Sequence, residues 1–150
     1  MCGIMSRQHQ KWQSKTLESL EHKVWPALSE TDQQDWLMVE CYALRKKPIK
    51  DFSIENLRQM IEQDIGLQFL IPLAIDKLKE DITAQGDCYP GDLLNNILRS
   101  DPEYWKINRQ YWKAVCELIE ENKMRLQEAK VAAEIRKAWF NNFEIFRQIH

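Results

Sequence analysis

DPEYWKINRQYWKAVCELIEENKMRLQEAKVAAEIRKAWFNNFEIFRQIH, residues 101–150, holds a single proline at its second position and no glycine. Asp101 reads as a helix cap, and Pro102 falls at the first helical position, where the missing N–H would have had no partner. Tyr111, Val115, Leu118, Asn122, Leu126, Ala129 and Ala133 then recur in steps of four and three, the spacing of one helical stripe. Beyond Asn141-Asn142, Phe143, Phe146 and Ile149 continue an aromatic face. The stretch predicts one long helix, with a late bend or a division into two. No segment of the chain alternates convincingly with the period of a strand. The expected class is all-α, a single-domain helical bundle with a long C-terminal helix.

Upstream, Thr83 to Asp92 is the main loop, punctuated by Gly86, Pro90 and Gly91. Asp92 can cap a short helix through Leu93, Leu94, Ile97 and Leu98. Leu67 to Asp81 reads as a central helix with Leu70, Ile71, Leu73, Ala74 and Leu78 inward. Pro72 places its start near Phe69 or later, because proline is tolerated in a first turn. Ser53 caps a preceding helix with an apolar face of Leu57, Met60 and Ile61, which Gly66 ends. Thr31-Asp32-Gln33-Gln34 has the pattern of a capping box and opens a helix to about Lys46. From Trp36 to Leu44 its only strongly polar side chain is Glu40. A helix apolar nearly all round is expected to be surrounded by others. Arg45-Lys46-Lys47 suits a helix C-terminus, and Pro48 stops it. Thr16 caps a short helix to about His22, and Trp25-Pro26 interrupts the chain beyond it. Residues 1–15 are polar and basic and are expected to form a flexible N-terminal arm, leaving 16–150 as one helical domain.

A chain of 150 residues is long enough to bury a core without disulfides or a structural metal. Its net charge of −2 conceals a segregation: +3 over residues 1–15, −8 over 16–103 and +3 over 104–150. Such an acidic body repels nucleic acid and anionic membranes and attracts a basic protein. Cys2, Cys41, Cys88 and Cys116 are scattered, without the C-x-x-C spacing of zinc or redox sites. Cys41 and Cys116 read as small buried hydrophobes. The longest apolar run, Ile65 to Ile75, is broken by Gly66, Gln68 and Pro72, and a membrane span needs roughly 20 residues. The protein is expected to be cytoplasmic.

Catalysis requires a nucleophile, a base within reach and an orienting group. The histidines are His9 in the arm, His22 beside Glu21 at a helix end, and His150 at the last position. None is well held, so no enzymatic activity is expected. Neither a cofactor nor a metal is expected. Asp87 and Asp92 flank the main loop and have two readings, a shared cation or simply a turn residue and a helix cap. Gly86 and Gly91 have acids beside them, which disfavours phosphate. Arg45 to Lys50 is the one basic cluster and reads as a charge–dipole feature more than a nucleic-acid patch. Trp36 and Trp112 read as core. Of the adjacent Trp139 and Phe140, one is expected to be exposed as a candidate interface anchor.

Four stretches together carry more than composition does: Ala43-Leu44-Arg45-Lys46-Lys47-Pro48-Ile49, Phe52-Ser53-Ile54-Glu55-Asn56-Leu57-Arg58, Ile65-Gly66-Leu67-Gln68-Phe69-Leu70-Ile71-Pro72-Leu73-Ala74, and Gly86-Asp87-Cys88-Tyr89-Pro90-Gly91-Asp92-Leu93-Leu94. In this order and spacing the chain resembles the immunity proteins of contact-dependent growth inhibition systems, and Thr16 to Glu21 resembles their usual opening. The resemblance spans about Thr16 to Trp105. It departs at Cys88, where an aromatic residue is expected, and at Gln63-Asp64. The region after Asn108 lies outside it. The resemblance implies a cytoplasmic, non-enzymatic protein that binds and neutralises the C-terminal domain of a cognate toxin in a one-to-one complex. A nuclease, above all a ribonuclease, is the expected toxin, blocked at its active site. A nuclease site is basic because it grips phosphates, and the acidic middle of this chain suits it. The expected toxin-binding residues are Glu62, Asp64, Asp87, Tyr89 and Asp92, with Tyr89 as aromatic anchor. The alternative is a helical protein–protein adaptor without a toxin partner.

Overall fold

The computed structural model describes residues 12–150. The expected flexible arm falls largely on residues 1–11, which lie outside the described residues. The class is all-α, and among the described residues no strand forms, only an isolated bridge between Thr16 and Pro48. The chain divides into two compact units, the first ending at Phe52 and the second running Ser53–His150.

In the first unit Thr16 caps α1 (Leu17–Leu20), its hydroxyl accepting from the Ser19 N–H at 3.1 Å. Leu17 is fully buried. The chain then leaves the helix through His22 at φ 52°. Arg45 holds the irregular segment beyond it. Its guanidinium donates to Glu21 Oε1 (2.8 Å) and to the Lys23 carbonyl (2.9 Å), and lies 4.5 Å over the Trp25 ring. A buried arginine that grips a carboxylate, a carbonyl and a ring face is an internal clamp, although among the described residues its Nε has no hydrogen-bond partner.

The second helix, α2, spans Trp36–Leu44. Thr31 does not open it. Thr31 has helical backbone angles and no side-chain cap bond, and a 3-10 turn, Asp32–Gln34, comes next. Asp35 is the cap instead, its Oδ1 accepting from Leu37 N–H (3.0 Å) and Met38 N–H (3.3 Å). An N-cap residue needs extended backbone, which Asp35 has. Nor is α2 surrounded. Cys41 and Leu44 are buried, but Trp36 is 64% exposed and Met38 and Val39 are exposed with it. Trp36 is thus not a core residue.

In the second unit, Ser53 and Asn56 exchange side-chain and backbone bonds, both 3.1 Å, to open α3 (Ile54–Glu62). Gly66 does not end this helix. The stop is Asp64, left-handed at φ 56°, with Asp64 N–H on Ile61 O (3.0 Å) and Ile65 N–H on Met60 O (2.9 Å). This is the Schellman pattern, and aspartate is among the few side chains that tolerate its left-handed position. Gly66, also left-handed, instead precedes α4 (Leu67–Glu80). Pro72 sits in the second turn of α4, inside the helix, so the start is earlier than a first-turn proline requires.

Every residue of α5 (Asp92–Leu98) is buried, and the helix packs against α3, α4 and α9. Its polar side chains are satisfied internally: Asn96 donates to the Arg58 carbonyl (3.2 Å), and Asn142 donates to Asn95 Oδ1 (3.0 Å). The expected long C-terminal helix is divided. Asp101 caps α6 (Pro102–Ile107), and α7 (Arg109–Glu121), α8 (Lys123–Glu128) and α9 (Ala133–Phe146) follow. Asn108 and Asn122 make the first two breaks in the same way. Each side-chain amide donates to the carbonyl four residues back, Tyr104 and Leu118, at 2.8 Å. An asparagine that satisfies a helix-end carbonyl allows the chain to turn. The third break is the extended backbone of Ala129 and Ala132, where Arg136 donates to the Ala129 carbonyl. Asn141-Asn142 does not break α9. Trp105, fully buried, meets Phe146 edge-on at 4.9 Å and donates to Ser100 Oγ at 2.9 Å.

Candidate functional site: the acidic loop between α4 and α5

The loop closes where Gly91 N–H donates to the Thr83 carbonyl at 3.0 Å. At its entry, Asp81 Oδ1 accepts from Thr83 N–H (3.0 Å), Thr83 Oγ1 (2.9 Å) and Arg125 (3.0 Å). Two carboxylates organise the interior. Asp92, 1% exposed, accepts from Gly86 N–H (2.7 Å) on Oδ1, and from Cys88 N–H (3.0 Å) and Tyr89 N–H (3.3 Å) on Oδ2. Glu55, from α3, accepts from Asp87 N–H at 2.9 Å. Four successive backbone N–H groups therefore converge on the chain's own carboxylates, filling what would otherwise be an anion-binding concavity.

The counter-charge is Arg58. It forks onto Glu55 (Nε to Oε1 2.5 Å, the second arm 2.7 Å to Oε2), reaches Glu62 Oε2 at 3.1 Å and lies 3.9 Å from Asp92 Oδ2. The guanidinium bond holds the Glu55 carboxyl below its ordinary range against the opposing effect of burial, and the Asp87 N–H adds to this. Two glycines admit the close approaches. A Cβ on Gly86 would lie 2.5 Å from Glu55 Oε1. Gly91 is left-handed at φ +76°, and a Cβ there would run into the buried Trp139 indole, whose N–H donates to the Gly91 carbonyl at 3.3 Å.

The five sequence-derived residues meet different fates. Asp87 is exposed on the loop, and Tyr89 is half-buried with its hydroxyl accepting from Asn95 at 3.1 Å. Glu62 is exposed but tied to Arg58. Asp64 is exposed, and its Oδ1 accepts from Asp101 N–H at 2.9 Å, joining the end of α3 to the start of α6 rather than to the loop. Asp92 is interior and joins the loop to α5 without capping it; the residue before α5 is Gly91. Glu55, Arg58 and Trp139 were not among the expected residues. Glu55, Arg58 and Glu62, spaced three and four apart on α3, carried a legible signal of an ion-pair row. Trp139 is half-legible: of the adjacent rings it is the buried one, and Phe140 is half-buried.

The loop does not assemble a reactive pair. Asp92 spends both oxygens on backbone N–H groups, and among the described residues no group of three or more His, Cys, Asp or Glu is placed to hold a metal. His22 is exposed at a helix end and His150 is terminal. Burial raises the Cys41 thiol and pushes Cys116 up to about 11, so both are protonated near neutrality and poor nucleophiles. Cys41 is buried as expected, whereas Cys116 is half-buried. An open groove of about 550 Å³ beside the loop, bordered by Thr83, Pro90, Arg125, Glu128 and Lys130, offers neither histidine nor cysteine.

An all-helical protein with an acidic loop hydrogen-bonded to its own carboxylates is what the fold and site define. A family model described as CDI immunity proteins, those of contact-dependent growth inhibition, matches residues 19–115, more than half of the chain, and the chain belongs to that family. Its function is accordingly immunity against a toxin. No curated protein and no solved structure matches it. The matched segment contains Glu55, Arg58 and the whole loop. Among the described residues no helix is long and apolar enough to cross a membrane.

Proposed function

We propose that this protein binds the C-terminal domain of its cognate toxin one to one in the cytoplasm, and blocks the active site of a nuclease, foremost a ribonuclease, without turnover of its own. The observation that carries the reading is the excess of 17 acids over 9 bases across residues 16–103. A nuclease site presents cations to phosphates, and carboxylates can meet the same cations. In this reading Glu62, Asp64 and Asp87 form the acidic contact surface and Tyr89 adds an aromatic anchor. Asp92 serves from within, holding the loop in the shape that presents Asp87. A loop ordered before encounter loses little entropy on binding.

The test is a titration of the toxin domain encoded beside this gene, with cleavage of a labelled RNA as readout. Inhibition should be complete at one equivalent. Undiminished cleavage at a tenfold excess of folded protein would sink the reading.

A further inference from the structure

The α2 helix has two apolar faces. Leu37, Cys41 and Leu44, spaced four and three apart, form the inner one, with Cys41 and Leu44 buried. Trp36, Val39 and Ala43, spaced three and four apart, form another, and all three are exposed, with Met38 beside them. Surface helices normally carry polar residues on their outer face, and helices apolar all round are normally covered. A tryptophan 64% exposed at the start of such a face leaves apolar area that no described residue of the first unit covers. Large exposed rings are enriched among residues that dominate interfaces.

The charge at the Trp36 end of this face is one-sided, and Lys46 and Lys47 follow at its other end. From Val24 to Leu44 there are four acids, Glu30, Asp32, Asp35 and Glu40, and no lysine or arginine. A cationic protein would find both an apolar anchor and opposite charge. We propose that the outward face of α2 is a docking surface for the toxin, with Trp36 seated in an apolar socket and the surrounding carboxylates meeting lysines or arginines. This rests on the reading of the protein as a toxin binder and adds a surface distinct from the acidic loop.

The experiment uses the full chain and the toxin domain encoded beside it, inactivated by substitution. Affinity is measured for wild type, Trp36→Ser, Trp36→Phe and the double variant Glu30→Lys/Glu40→Lys, with circular dichroism to verify folding and sedimentation to record self-association. Trp36→Ser should weaken binding by about 30-fold, the scale of a dominant interface residue, and Trp36→Phe should retain most of it. The charge variant should slow association and reverse its salt dependence. Should Trp36→Ser fail to fold, the charge variant decides. Affinities and rates equal to wild type in the folded variants would overturn the proposal. So would a wild-type dimer that Trp36→Ser dissolves while toxin affinity is unchanged, which would assign the face to a second copy. Failure of wild type itself to bind the toxin would overturn the toxin-binding reading and this surface with it, a result distinct from either.

Discussion

Asp92 and Asp87 are five residues apart and chemically identical, yet their surroundings give them different work. Asp92 is buried with three backbone N–H donors, while Asp87 is exposed. Asp92→Asn removes one acceptor oxygen and brings an amide donor against N–H groups, and unsatisfied buried partners cost about 1–3 kcal/mol. Urea unfolding should show that loss for Asp92→Asn, and a change within about 0.5 kcal/mol for exposed Asp87→Asn; equal stabilities would refute the interior role. Glu55 adds a pH dependence. Its carboxyl is held below its ordinary value of 4.5, so it stabilises the fold above that pH, and the contribution is lost as pH falls through the depressed folded value. Thermal midpoints measured across acid pH should decline less steeply for Glu55→Gln than for wild type. Gly91→Ala meets both a left-handed backbone and the Trp139 ring and should destabilise by more than about 1 kcal/mol.

At the scale of elements, the start of α2 separates a sequence pattern from its use. Thr31-Asp32-Gln33-Gln34 has the letters of a capping box, but Asp35 makes the cap bonds. Asp35→Ala should therefore lose about 1 kcal/mol, and Thr31→Ala should stay within about 0.5 kcal/mol, as read from denaturant midpoints. The reverse ranking would show that the helix starts earlier. The C-terminal breaks obey similar local chemistry. Asn122 lies on the hydrophobic stripe, and a stripe counts positions without asking whether a side chain competes for backbone carbonyls. Its amide does so, through Leu118, and the helix ends there.

For the whole molecule, the segregated charge sets how the partner is met. Association with a basic toxin should be fast at low salt and slow as ionic strength rises. Asp64→Asn and Asp87→Asn should each lower the association rate and flatten that salt dependence while leaving dissociation nearly unchanged, as stopped-flow kinetics would show. Asparagine tolerates the left-handed backbone at position 64, so the comparison is not confounded by strain. Rates identical to wild type at all salt concentrations would remove Asp64 and Asp87 from the interface and leave the α2 face as the site to examine.

Local chemistry made much of this protein readable from its residues alone. The helical class, the caps at Thr16, Ser53 and Asp101, the buried faces of α3 and α4 and the position of the main loop all depend on groups within three or four positions of one another, and such bonds are written in adjacent letters. The four quoted stretches likewise carried the family. Tertiary structure decided what the same letters are used for. Trp139 reaches Gly91 across 48 positions, and Asn96 reaches the Arg58 carbonyl across 38, so no local pattern reveals that the loop is seated on α3 and α9 or that Asp92 is interior. The apolar run of α2 reads as a covered helix because periodicity reports how hydrophobic each face is and not whether another element lies against it. Covering a face requires residues brought from elsewhere in the chain, and among the described residues of the first unit none covers Trp36.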